Sequence, residues 1–112
     1  MSNRQKFYIN GQWVEPSTSD TLDVINPATE QPIEPVAMGG VADVDSAVAA
    51  AKAAFETFSQ TTKEERIALL EAVIAKYAEK MPEIAGVISE EMGAPSALAA
   101  KAQAPTGIGH LM

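Results

Sequence analysis

The residues with any claim to chemistry are few. Glu90 and Glu91 are adjacent carboxylates that could act as general acid and base, yet no second acid cluster or base accompanies them. Such a pair near a helix end reads as solvated surface. His110 is the single histidine, and a lone imidazole without another His, a Cys or a local carboxylate has no ligand set to complete. The run Gly107-Ile108-Gly109-His110 lacks the preceding strand, third glycine and downstream acid with which a dinucleotide loop cradles pyrophosphate. Trp13 could stack on a ligand, but one aromatic on a short strand reads as packing. Cysteine is absent, which removes disulfides, thiolate metal sites and thiol nucleophiles together.

Composition narrows the partners. The 112 residues carry 8 Lys and Arg against 15 Asp and Glu, a net charge of −7. That sign opposes binding to nucleic acid or to an anionic membrane surface. With 46% hydrophobic and 21% charged residues the chain has ordinary globular composition, and its length suits about one domain of roughly 100–200 residues. No run approaches the roughly 18 apolar residues of a membrane span, and the first residues lead into a strand and not a signal peptide. A cytoplasmic, soluble protein is the expectation.

Stepping along the chain, Phe7 to Val14 reads as two β-prone runs around Asn10-Gly11, the pair favoured in a type I′ hairpin turn. A strand is expected over Thr21 to Ile25, stopped by Asn26-Pro27, and an edge strand over Pro32 to Met38. After Gly39-Gly40 the period changes. Val44, Ala47, Val48, Ala51, Ala54, Phe55 and Phe58 form a helical stripe, with Asp43 and Asp45 in its first turn. Thr62 and Glu65 form a capping box opening a helix with the stripe Ile67, Leu70, Ile74, Tyr77, Ala78 and Met81. Pro82 is expected to start a separate helix with Ile84, Val87 and Ile88 inward, stopped by Gly93. The segment from Ser96 to Met112 is expected to be broken at Pro105. The fold class is thus α+β: an N-terminal hairpin and strands followed by three to four helices. Residues 1–40 form the strand segment and residues 41–112 the helical part.

The order of these segments carries a resemblance. Phe7-Tyr8-Ile9-Asn10-Gly11-Gln12-Trp13-Val14 is followed by Val24-Ile25-Asn26-Pro27-Ala28-Thr29-Glu30, then by Asp43 to Ala51 with Phe55, by Glu65-Arg66, and by Ile88-Ser89-Glu90-Glu91-Met92-Gly93-Ala94-Pro95. Across residues 7 to 95 this resembles the N-terminal portion of the aldehyde dehydrogenase superfamily, and Ala99 to Leu111 is similar to the family's next helix. The resemblance implies a parent enzyme that oxidises an aldehyde to the acid with NAD or NADP. A cysteine thiolate attacks the carbonyl, hydride passes to the nicotinamide, and glutamate-activated water hydrolyses the thioester. It also implies that those groups and the cofactor-binding glycines lie outside these residues, in a separate catalytic domain and later sequence. The chain is then an N-terminal fragment with no catalytic or cofactor-binding residue of its own, and residues 41–112 are the helical part of a truncated cofactor-binding domain.

By the same resemblance, a structural monovalent cation would be held by the backbone carbonyls of Val24 and Ile25 and the carboxylate of Glu91, where many members have Asp. The apolar stripes would cover sheet and helices contributed by other sequence. Left alone, the chain is expected to self-associate through Val48, Ala51, Phe55, Ile67, Leu70, Ile74 and Tyr77, or to rearrange its helices to bury them. The competing reading is a self-associating helical interaction module with no catalysis. A free-standing cofactor-binding domain is excluded by the lack of a phosphate-cradling loop.

Overall fold

The computed structural model describes residues 3–112. Four strands come first: β1 (Phe7–Ile9), β2 (Gln12–Val14), β3 (Thr21–Asn26) and β4 (Gln31–Ala37). Helices follow: α1 (Val41–Phe58), α2 (Lys63–Met92), the short α3 (Ser96–Leu98), a wide π turn (Ala99–Gln103) and α4 (Ala104–Leu111). The strands make two separate two-stranded ribbons, β1 with β2 and β3 with β4. The α+β order read from the sequence is the order found.

The contacts divide the chain into two compact units. The first contains the residues up to Val24 and Pro32–Thr61. Its hairpin forms because Asn10 and Gly11 both take positive φ, 52° and 76°, as a type I′ turn requires. That turn sets the register Phe7↔Val14, Tyr8↔Trp13 and Ile9↔Gln12, and brings the Tyr8 and Trp13 rings to 5.2 Å. Just beyond the ribbon Lys6 pairs with Glu15 at 2.7 Å. The helix α1 starts two residues before Asp43, so Asp43 lies in its first turn and Asp45 beyond it. Its apolar stripe is present but exposed, with Val44, Val48, Phe55 and Phe58 all largely in solvent. Among the described residues, none of this unit is fully buried.

The second unit contains Ile25–Gln31 and Thr62–Met112. Its core is small and made of alanines, Ala85, Ala94, Ala99 and Ala104, with Met81, Ile84 and Ile88 packed against them. Side chains of that size let helix backbones approach closely. The Thr62 capping box forms as read: the Thr62 hydroxyl accepts from the Glu65 amide at 3.1 Å, and the Glu65 carboxylate accepts from the Thr62 amide at 2.7 Å. This holds the Glu65 carboxyl below the ordinary range, chiefly through the Thr62 amide and then its hydroxyl.

Two prolines depart from what their sequence positions predict. Pro82 does not open a new helix; it lies inside the single 30-residue helix α2. Its side is exposed, so its ring meets solvent, and strong helix formers on both sides outweigh one missing amide bond. Nor does Pro105 break the last segment. The Ala104 amide reaches back to the Ala99 carbonyl, five residues away, and this wide turn gives room to the ring that would otherwise press on the carbonyl four residues earlier. The helix resumes at once as α4.

Candidate functional site

Two of the segments that carried the resemblance, the Asn26-Pro27 turn and the Ser89–Pro95 stretch, meet within the second unit at the end of α2. There the helix stops because Gly93 adopts φ 71°, a left-handed conformation that glycine takes without a side-chain penalty, and its amide donates to the Ser89 carbonyl at 3.0 Å. The Ser89 hydroxyl donates to the Ala94 carbonyl at 2.7 Å, which holds the outgoing chain against the helix end. Pro95 then accepts from the Leu98 and Ala99 amides to start the next helical segment.

Facing this corner within the same unit is the turn after β3. Asn26 accepts from the Ala28 amide at 2.8 Å and the Thr29 amide at 3.3 Å through Oδ1, while its carbonyl accepts from the Glu30 amide at 2.8 Å. Asparagine suits the position because its side chain mimics a backbone turn. Glu30 takes φ 59° to close it. Pro27, which follows Asn26, packs on Gly93 so closely that no Cβ fits between them.

Glu91 is half-buried in the last turn of α2, and Glu90 is exposed. Val24 and Ile25 are consecutive in β3; Val24 belongs to the first unit, Ile25 and Glu91 to the second. Among the described residues, no three His, Asp or Glu side chains come together at metal-ligand spacing.

Gly107 has a packing role that sequence reasoning missed. The Tyr77 hydroxyl donates to the Ala104 carbonyl at 2.9 Å, and its ring covers Gly107 where a Cβ would stand. Glycine inside a predicted helical stretch was the available signal.

Residues 13–111 match the sequence model of the aldehyde dehydrogenase family. The chain belongs to the aldehyde dehydrogenase family. It is 46% identical over 113 aligned positions to 3-succinoylsemialdehyde-pyridine dehydrogenase of a Pseudomonas species, covering 100% of this chain and 24% of that protein. An aldehyde dehydrogenase of Bartonella henselae superposes with a TM-score of 0.94 at 42% identity, over 99% of this chain and 23% of its own. A variant of aldehyde dehydrogenase C from Pseudomonas syringae, crystallised with NAD+ and octanal, gives 0.94 and 42% over 97% of this chain and 22% of its own. The chain thus spans about a quarter of the length of the curated relatives it matches, and corresponds to their N-terminal portion.

In this aldehyde dehydrogenase chain the other sequence candidates lie on α4 and on the β1–β2 ribbon. His110 is exposed in the last turn of α4, where a basic side chain favours the helix dipole. Gly107 and Gly109 both lie inside α4 and not in a strand-to-helix phosphate loop. Trp13 stacks at a tilt on Tyr8. Among the described residues no helix is long and apolar enough to cross a membrane.

Proposed function

We propose that this chain is the N-terminal scaffold of an enzyme that oxidises an aldehyde to a carboxylic acid, with NAD or NADP accepting the hydride. The observation that carries the reading is the match of the whole chain to 3-succinoylsemialdehyde-pyridine dehydrogenase. The P. syringae relative bound to NAD+ and octanal, and a Mycobacterium tuberculosis aldehyde dehydrogenase bound to NAD+, support the ligand classes. With no cysteine among its 112 residues, the chain supplies no thiolate to attack the carbonyl. Its contribution is architectural: residues 1–40 as a strand segment, and residues 41–112 as helices of the cofactor-binding domain. A cytoplasmic location is part of the same proposal.

A bound monovalent cation is part of the same proposal. Two neutral carbonyls, of Val24 and Ile25, with the single Glu91 carboxylate are hard oxygen donors of total charge −1, a set suited to a monovalent cation. A rise in melting temperature with NaCl or KCl that choline chloride does not reproduce, and that Glu91→Gln removes, is the expected result.

Intact mass of the native protein from its source, beside an NAD(P)H absorbance assay with short aldehydes, tests the main reading. A mass about four times that of this chain, as its 24% coverage of the relative implies, together with aldehyde-dependent cofactor reduction, is expected. A native protein of this chain's own mass with no turnover would overturn it. That outcome would favour the second reading, a self-associating helical module. The observation favouring it is the exposure of Phe55 at 67%, Val48 at 48% and Leu70 at 45%, apolar side chains that a lone soluble chain tends to cover. Sedimentation would then show a multimer that Leu70→Glu dissociates.

A further inference from the structure

The two units are held together internally by different means. Alanines and their neighbours form a buried core in the second, whereas the first has no fully buried residue among those described. Its order must come from other contacts. Several of them meet around one carboxylate: the Ser17 hydroxyl donates to Asp43 Oδ2 at 2.6 Å, the Ser17 amide to Oδ1 at 2.9 Å, and the Gly40 amide to Oδ2 at 2.8 Å. Beside it the Thr18 hydroxyl donates to the Met38 carbonyl at 2.9 Å, and the Met38 amide to the Asp20 carbonyl at 2.8 Å. A Cβ on Gly40 would stand 2.8 Å from Thr18 Cγ2, so the Thr18 side chain packs directly on the Gly40 backbone.

We infer that Asp43 is a latch that fastens the link between β2 and β3 to the start of α1, and that acid opens it while the alanine core of the second unit stays closed. A carboxylate serves because it alone presents two acceptor oxygens to three donors; an asparagine would turn an N–H toward one of them. The same donors, the Ser17 hydroxyl first, then the Gly40 amide and the Ser17 amide, hold the Asp43 carboxyl below the usual aspartate range. The latch is therefore fully fastened above the value of an unfolded aspartate and released as pH falls through the lower folded value. Of the neighbouring charged groups, Glu15 on the link pairs with Lys6, Glu34 of β4 lies 3.9 Å from Arg4, and Asp20 and Asp45 share none of the three bonds.

Amide hydrogen exchange on the whole chain tests this, with Trp13, the single tryptophan, as a fluorescent reporter in the first unit. At neutral pH Asp43→Asn is expected to lower protection of the Ser17 and Gly40 amides about ten-fold, as loss of a charge-assisted hydrogen bond implies, with Gly93 unchanged. The wild type should reach the same state on acidification, with Trp13 emission moving before Gly93 loses protection. Equal protection of Ser17 and Gly40 in Asp43→Asn and wild type would overturn the latch, as would simultaneous acid opening of both units. Should Asp43→Asn fail to fold, Ser17→Ala decides: it keeps the carboxylate and removes one donor, so protection at residue 17 falls while Gly40 keeps most of its own. No change at residue 17 would again overturn the proposal.

Discussion

Gly93 and Pro27 touch at a distance that admits no side chain: a Cβ on Gly93 would stand 2.7 Å from Pro27 Cγ, at a residue whose φ is 71°. One position thus satisfies two demands, ending a 30-residue helix and receiving the turn that follows β3. Gly93→Ala is expected to destabilise the chain by about 2–4 kcal/mol, since left-handed strain and overpacking add. Urea unfolding followed by circular dichroism measures it. A loss no larger than that of an exposed helix substitution would show that Pro27 simply moves aside.

Tyr77 and Gly107 make a second such pair. Tyr77→Phe removes only the hydroxyl that reaches the Ala104 carbonyl, and should cost about 1 kcal/mol. Gly107→Ala should cost about 1–3 kcal/mol by overlap with the ring. In the Tyr77→Ala background the Gly107→Ala penalty should shrink, because the obstructing ring is gone, and a double-mutant cycle reads that coupling directly. Additive penalties would mean that the two residues do not meet in solution.

Pro82 offers a gain. Because its ring is exposed and it sits inside α2, Pro82→Ala restores one helix hydrogen bond without opening a cavity. Stability should rise by about 1–3 kcal/mol. Thermal unfolding monitored at the helix signal gives the answer, and a lower melting temperature would argue that the proline fixes a bend the packing needs.

The start of α2 should be sensitive to acid. Glu65 is held below the ordinary carboxylate range by its bonds from Thr62, so its contribution is complete above the unfolded glutamate value and disappears as pH falls through the lower folded value. Thr62→Ala should cost about 1 kcal/mol at neutral pH and less in acid, where the box has already opened. Stability curves for the two proteins that stay parallel down the pH scale would contradict this.

Much of the fold was legible because local chemistry dictates it. Asn10-Gly11 specified its turn, Thr62 and Glu65 specified a helix start, and Gly93 specified a stop, each by a backbone requirement that few residues meet. Pro82 and Pro105 misled because a proline's cost depends on surroundings the sequence does not display: an exposed ring in one case, a widened turn in the other. The stripes of α1 were legible as stripes, but periodicity says only which residues share a face. Whether Phe55 is covered is decided by what lies opposite. The site was legible as an order of short segments, whereas the seating of Pro27 on Gly93 needed the structure, since nothing in their spacing brings positions 27 and 93 together.

The π turn at Ala99–Gln103 fits one residue more into its loop than an α turn would. An added residue in a regular helix rotates everything after it by about 100°, the angle per residue at 3.6 residues per turn. By taking up that residue, the turn keeps the downstream phase that places Gly107 beneath Tyr77. Shortening the chain by one position inside the turn should therefore leave that seat aligned once Pro105→Ala has removed the ring that the wide turn accommodates, while the same deletion between Ala104 and Gly107 would swing a bulkier neighbour under the Tyr77 ring. The turn works as a length tolerance: one stretch of five residues where the chain can lose a position and still arrive in step.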